Sequence, residues 1–300
     1  MAFFLDSVSL GLQYAMLASG VYITFRVLGI PDLTVDGSFT LGIAVSAVFA
    51  VKGHPFWGLL FAVLAGAAAG IVTGFLQTKA GIHPILAGIL TMSGLYTVNI
   101  TVMQSPNLSL IDSEKFFTFA YNVFPAVDKS IIKLISALIL CSIVTLLLAL
   151  FFKTVLGLCI RATGNNESMV RASSINTTMT KMVALAIANG LVALSGGMVA
   201  QYQGFADINS GSGMIVVGLA SVIIGEAVFG RRSLTAGLIS AVCGSVIYRI
   251  LTAFALEWNI LSANSLKLLC AVIVAVTLAA PTIKKTVLDY KARREARRNA

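Results

Sequence analysis

Long runs of apolar residues follow one another along almost the whole chain, separated by short polar segments. The runs are continuous and do not alternate, and most match the roughly 17–25 residues that a membrane-spanning helix needs. The runs 38–51 and 213–229 are short and contain glycine, which is typical of broken or re-entrant helices in transporters. About eight to ten spanning helices are predicted, centred on nine runs: 8–26, 38–51, 56–78, 84–104, 131–152, 181–202, 213–229, 233–256 and 265–283.

The fold class predicted from these runs is an all-α, polytopic membrane protein. Residues 1–283 form one transmembrane domain, and residues 284–300 form a basic tail. Two long polar segments interrupt the domain, at 105–130 and at 153–181. The composition agrees, because 58% of the residues are hydrophobic and only 11% are charged, against about 25% charged in a soluble domain. A soluble enzyme, a disordered protein and a repeat scaffold are thereby excluded.

Lysine and arginine residues are unevenly distributed between the two sides of the predicted membrane. The chain changes side at each predicted span, and this places most of the 21 in segments on the same side, among them 153–181 and 284–300. Cytoplasmic segments carry such an excess, so 153–181 and the tail are predicted inside the cell and 105–130 outside. The net charge of +9 is concentrated next to an apolar run. It therefore favours contact with the lipid bilayer and not with nucleic acid.

Three polar residues at or within the predicted spans are candidates for a substrate pathway. Asn189 lies in the middle of the run 181–202, and Asp32 and Asp36 lie where the run 38–51 begins. A carboxylate deep in a membrane is costly and usually has a function. Two alternatives remain open for the aspartates: a role in substrate passage or gating, or a place in an interfacial loop with Asp36 capping the following helix.

A faint internal repeat links two parts of the chain. Residues 37–44 read Gly-x4-Gly-Ile-Ala, residues 213–220 read Gly-x4-Gly-Leu-Ala, and each follows a polar loop. Their predicted orientations are opposite, so an inverted repeat is expected.

A second glycine pattern, at Gly66, Gly70 and Gly74, lets two helices approach closely. It favours packing within one chain over a dimer seam.

The internal segment 153–181 carries the signals of a short amphipathic helix. Gly164 is expected to break the chain, Asn165 or Asn166 to cap the helix, and Glu167 to lie in its first turn. Met169 and Val170 give this helix an apolar patch that is expected to be exposed.

Catalytic and metal-binding motifs are missing from the sequence. It contains no Gly-x4-Gly-Lys-Ser or Gly-x4-Gly-Lys-Thr phosphate loop, no His-Glu-x-x-His and no Gly-x-Ser-x-Gly. The two histidines are isolated from each other, and the four cysteines are far apart in the sequence. The chain is therefore predicted to be no enzyme, to hold no metal and to need no cofactor.

Residues 157–176, Gly-Leu-Cys-Ile-Arg-Ala-Thr-Gly-Asn-Asn-Glu-Ser-Met-Val-Arg-Ala-Ser-Ser-Ile-Asn, resemble the coupling segment of permease subunits of bacterial ATP-binding-cassette (ABC) importers. The similarity is to the branched-chain amino acid and ribose permease group. It continues through Ala-Leu-Ser-Gly-Gly at 193–197 and the stretch from Gly204 to Glu226. Residues 30–42 resemble a branch that accompanies binding lipoproteins for tryptophan, tyrosine or similar compounds. Ser174 stands where the group usually has glycine before Ile-Asn.

The resemblance implies a multi-pass protein of the bacterial plasma membrane that carries an amino acid or a similar small solute. It implies three partners: a dimer of cytoplasmic ATPase subunits, an external substrate-binding lipoprotein and a second permease copy. Residues 161–172 would dock on the ATPase, and the residues expected to couple are Arg161, Gly164, Asn165, Glu167, Met169, Val170 and Arg171. The alternative is a secondary transporter driven by an ion gradient. It would need intramembrane carboxylates for coupling, and the central spans are poor in them.

Overall fold

The computed structural model describes residues 2–257 except 112, 114, 124–127, 231 and 232, together with residue 272. Within this part of the chain helices dominate. The α-helices are α1 Ala2–Tyr22, α2 Thr34–Val51, α3 Pro55–Thr78, α4 Pro84–Met103, α5 Phe116–Val123, α6 Lys129–Phe151, α7 Val155–Asn165, α8 Glu167–Ala172, α9 Thr177–Gln203, α10 Met214–Phe229 and α11 Leu234–Glu257. A π-helical segment, Ile23–Val27, extends α1. Two short strands are β1 Asn107–Ser109 and β2 Phe205–Asp207.

Seven helices among the described residues are long and apolar enough to cross a membrane. They are α1 with its π-helical extension, α2, α3, α4, α6, α9 and α11, and the shorter apolar helix α10 accompanies them. The all-α, polytopic membrane fold expected from the sequence is confirmed. The predicted span 265–283 and the basic tail 284–300 lie outside the described residues.

The helices divide into a buried centre and an apolar outer layer. α1, α2 and α9 are mostly buried, whereas α4 and α6 bury only about a quarter of their residues. The largest core cluster joins these three central helices, with Tyr14 and Phe39 stacked in it. The outer helices expose leucine, isoleucine and valine to the surroundings, which lipid tolerates because its tails are as apolar as these side chains.

The glycine pattern on α3 brings this helix against α9. A Cβ atom added to Gly66 or Gly70 would collide with the backbone of α9 at Asn189 or Leu185. At Gly74 it would lie 3.0 Å from the Cα of Met182. The prediction of close packing within one chain is therefore confirmed, since glycine allows the two helix backbones to touch.

α2 runs parallel to α9, and its first turns lie beside the middle of α9 and not beside either end. Asn189, which accepts a hydrogen bond from Ser38, is near the centre of the 27-residue α9. At about 1.5 Å per residue it is roughly 18 Å from the start of that helix. Further along, Ser46 donates to the carbonyl of Gly197. The segment that connects α1 to α2 thus rises into the interior before α2 starts.

α10 also begins inside the molecule, from the opposite direction. The amide of Gly213, just before α10, donates to Asp36 in the first turn of α2. At its other end Glu226 pairs with Arg26, at 2.6 Å, at the end of the first spanning helix. The two short helices therefore start side by side at the middle of the fold. The inverted repeat itself stays a prediction.

A small antiparallel ribbon covers the end of α9 that is predicted to be external. β1 pairs with β2 so that Asn107 faces Asp207 and Ser109 faces Phe205. This ribbon attaches the segment 105–130, which is predicted to be external, to the linker between α9 and α10. Its three-residue strands are too short to produce an alternating sequence pattern, and they were not predicted.

Candidate functional site

Asp32 lies at the junction of the two short helices and is buried, with 1% of its surface exposed. One carboxylate oxygen accepts from the backbone amide of Thr34 at 2.9 Å. The other accepts from Nδ2 of Asn189 at 2.7 Å. The oxygen of that Asn189 amide accepts in turn from Ser38 at 2.7 Å. Asp32 is therefore inside the protein and not in an interfacial loop. Each of its oxygens has a hydrogen-bond donor, as a buried carboxylate requires.

Three threonine hydroxyls extend this polar cluster toward the outer layer. Thr34 Oγ1 lies 2.8 Å from Thr73 Oγ1 on α3, and Thr73 donates to Thr91 on α4 at 3.0 Å. The chain of hydroxyls joins α2, α3 and α4 through their side chains. Hydrogen bonds of this kind hold helices together where lipid offers no polar partner.

Asp36 connects the two short helices directly. Its Oδ2 accepts from the amide of Gly213 at 2.9 Å, and its Oδ1 accepts from the amide of Ile215 at 2.8 Å. These amides are among the donors that the start of α10 leaves without an intrahelical partner. A carboxylate at this end is also stabilised by the helix dipole. Asp36 thus caps α10, and not the helix α2 in which it lies.

A cleft of about 450 Å³ opens beside Asp36. Its walls come from the first turns of α2, from the middle of α4 and from the loop before α10. The lining residues are Asp36, Gly37, Thr40, Met92, Ser93, Tyr96, Asn99, Ile208, Asn209, Gly211 and Ser212. The size lies within the range of small-molecule sites. Of the three pathway candidates only Asp36 lines the cleft, whereas Asp32 and Asn189 are buried behind it.

On the predicted cytoplasmic side the coupling segment forms two helices, α7 and α8. Gly164 is within α7, and a Cβ there would collide with the carbonyl of Val27. The expectation that Gly164 breaks the chain is therefore wrong, since this glycine serves the close approach of α7 to the end of the first span. The break comes at Asn166, whose side chain accepts from the amide of Met169 at 3.1 Å. Of the two predicted caps, Asn166 is the one the structure shows, and Asn165 is the exposed last residue of α7.

Glu167 joins α8 to its neighbours by ion pairs. Its carboxylate accepts from Lys181 of α9 at 2.6 Å and from Arg171 one turn further along α8 at 2.9 Å. The hydrogen bond from Lys181, helped by Arg171, lowers the pKa of this carboxyl below its ordinary value. The pair with Arg171 is exposed and contributes little by itself. Glu167 therefore serves mainly to fix α8 on α9.

The apolar patch expected on α8 is smaller than predicted. Met169 has 67% of its surface exposed, but Val170 has only 5%. The expectation that both are exposed is wrong for Val170, because a six-residue helix has no stability of its own and must bury one side against its own chain. Arg161 and Arg171 are exposed on the same two helices. Met169 is thus the one large apolar side chain that α8 exposes.

Comparison with known proteins identifies the family. Residues 3–279 match the family described as the permease component of branched-chain amino acid transport systems. The chain belongs to this family. It is a multi-pass transmembrane permease of the ABC importer type.

Individual relatives support the assignment. The chain is 37% identical, over 266 residues, to a "Tyrosine transport system permease protein" of Clostridioides difficile, covering 88% of this chain and 86% of that protein. It is 23% identical to "Fructose import permease protein FruF" of Bifidobacterium longum, covering 96% of this chain and 80% of that one. The solved structure of "PsaBC from Streptococcus pneumoniae in complex with Fab" has a similar fold, with a TM-score of 0.56 and 15% identity over 92% of this chain and 90% of that one.

Several residues of the permease's polar interior were not predicted from sequence. Ser38, Thr34 and Asn99 are buried and hydrogen-bonded at the junction. Single serine and threonine residues are common in spanning helices, where they bond to their own helix backbone. Asn99 is the exception, because an asparagine within the apolar run 84–104 is a signal that could have been used.

Proposed function

We propose that the permease forms the passage for an amino acid with an aromatic side chain across the bacterial plasma membrane, driven by separate ATPase subunits and supplied by an external binding lipoprotein. The polar cleft at the junction of α2 and α10 is the observation that supports it most. A cleft with a carboxylate, hydroxyls and an amide at mid-depth would be costly in a protein that only anchors others. The tyrosine system named for one relative supports the solute class.

The exposed face of α4 supports a second permease copy. Ser93, Tyr96, Thr97 and Thr101 are exposed on this helix, and the Thr101 hydroxyl donates to the carbonyl of Thr97 at 2.8 Å. A face with four hydroxyls is more polar than the leucine- and isoleucine-rich surface that α6 exposes, and polar side chains in spanning helices usually face another helix and not lipid. We propose that the same face of a second copy covers them and that the passage runs between the two. In a cysteine-free background, Thr97→Cys in two copies should then cross-link in the membrane, and Ile139→Cys on the lipid face of α6 should not. Equal cross-linking at both positions would contradict this arrangement.

We propose that α7 and α8 carry the contact with the ATPase. Arg161, Asn165, Met169 and Arg171 present exposed side chains on these helices. Gly164 and Glu167 hold the helices against the span ends, and Val170 anchors α8. The coupling residues predicted from the sequence therefore stay in the proposal with two kinds of role: four make the contact, and Gly164, Glu167 and Val170 support the two helices.

Met169 is the residue whose replacement tests this contact. Burying its side chain in a groove of the ATPase would contribute roughly 1.5–3 kcal/mol, so Met169→Asp should release the ATPase during co-purification in detergent and abolish uptake. Ile111→Asp is the matched control, because Ile111 is 76% exposed in the segment predicted on the other side of the membrane. Retention of the ATPase and normal uptake by Met169→Asp would show that α8 is not the coupling element.

A further inference from the structure

The cleft beside Asp36 contains an unsatisfied hydrogen-bond acceptor. The Asn99 side chain is 1% exposed and lines the cleft. Its Nδ2 donates to the carbonyl of Gly37 at 3.3 Å, but its Oδ1 has no partner among the described residues. A buried acceptor without a donor destabilises the protein, because the acceptor has lost its hydrogen bond to water without gaining another. Such a group in a cleft therefore points to a ligand that brings a donor.

The charge of the cleft favours the same kind of ligand. Among the described residues that line it, Asp36 is the one with a charged side chain at neutral pH, and none is lysine, arginine or histidine. The amides at the start of α10 are already bonded to Asp36, so they are not free to bind an anion. The partial positive charge of this helix end offsets the carboxylate only in part, and the cleft therefore favours a cation with N–H donors over an anion.

The two acceptors belong to the same cleft wall. Asp36 and Asn99 both line the cleft, and Asn99 bonds to the carbonyl of Gly37, the residue that follows Asp36. An ammonium group carries three donors and no acceptor. Tyr96 adds an aromatic ring to the lining, and Met92 and Ile208 add apolar surface, which suits the remainder of an aromatic solute.

We propose that this cleft is a binding site for the ammonium group of the transported solute, with Asp36 and Asn99 Oδ1 as its acceptors. This inference rests on the proposed function, because it assigns the recognised group of that solute. It predicts that an amine without a carboxylate binds and that a carboxylate without an amine does not.

Protection of an introduced cysteine tests the proposal without the need for transport. The full-length permease, with its four native cysteines replaced by alanine and with Ser93→Cys in the cleft wall, is placed in lipid nanodiscs and labelled with a maleimide. Tyramine and L-tyrosine should slow labelling, and 3-(4-hydroxyphenyl)propionate, which lacks the amine, should not. Equal protection by the propionate would overturn the proposal.

Two replacements of Asn99 separate the acceptor from the fold. Asn99→Leu and Asn99→Asp both lose the bond to Gly37, but only the aspartate keeps an acceptor. The tyramine concentration for half-protection should rise about tenfold or more in Asn99→Leu and should not rise in Asn99→Asp. Gln77→Leu is the matched control, since the amide of Gln77 is likewise buried without a partner among the described residues but lies outside the cleft lining. It should leave tyramine protection unchanged.

The outcomes distinguish this site from the proposed function as a whole. Equal half-protection concentrations in the two Asn99 variants would overturn the ammonium site, even if the permease imports tyrosine. If the protection pattern holds but ATP does not drive tyrosine uptake, the site stands and the importer proposal for this solute fails.

Discussion

At the scale of single residues, the main result concerns Asp36. The sequence left two roles open for it, a cap of the helix that follows or a pathway residue. The structure replaces the first role by a cap of a different helix, and the second stays a prediction. Asp36 caps α10 through two amide hydrogen bonds and at the same time lines the cleft. The helix that it caps could not be foreseen, because Gly213 is 177 positions away in sequence.

Replacement of Asp36 by asparagine separates these roles. Asp36→Asn keeps one acceptor for α10 but removes the charge, so uptake should fall at least tenfold while the amount of protein in the membrane falls less than twofold. Uptake and abundance would be measured in the same cells. Asp207→Asn is the control, since Asp207 accepts from the amide of Asn209 in the exposed turn before α10. A loss of uptake in Asp36→Asn only in proportion to abundance would show a purely structural cap.

At the scale of helices, glycines decide which pairs can touch. Gly70 is pressed against the backbone of α9, whereas Gly94 on α4 has open space where a Cβ would be. The same substitution should therefore have opposite effects at the two positions. Gly70→Ala is expected to lower stability by about 1–3 kcal/mol through overpacking. Gly94→Ala is expected to raise it by about 0.5–1 kcal/mol, because alanine favours the helix. Denaturation of the purified permease in detergent measures both, and equal effects would contradict the packing of α3 on α9.

The long helices were predictable from the sequence, and the short ones were less so. Continuous apolar runs located the long spans because a helix in lipid must be apolar over its whole length. The boundary between α7 and α8 is predicted less accurately. Glycine tends to break helices, which predicts a break at Gly164, but this glycine lies within α7 and allows the backbone of Val27 to approach closely. Ser174 adopts φ of 61°, a conformation that glycine accepts without strain, and the resemblance noted from the sequence leads to the expectation of glycine at this position.

At the scale of the whole molecule, the interior is organised around the meeting of two short helices. Their brevity and glycine content were visible in the sequence. Each is a continuous helix in the structure, of 18 residues in α2 and 16 in α10, so the prediction of broken or re-entrant helices stays a prediction. The bonds from Asp32 to Asn189 and from Asp36 to Gly213 were not visible, because they join residues more than 150 positions apart. Single-sequence patterns contain local periodicity and no information on such pairs.

The energy source of uptake is the property that most directly tests the proposed account. The permease, co-purified with its ATPase and reconstituted in proteoliposomes with the binding protein outside, should accumulate labelled L-tyrosine only when ATP is enclosed. A protonophore or a sodium ionophore should leave this uptake unchanged. Uptake that continues without ATP and collapses when the ion gradients are removed would contradict the account and would support a secondary transporter.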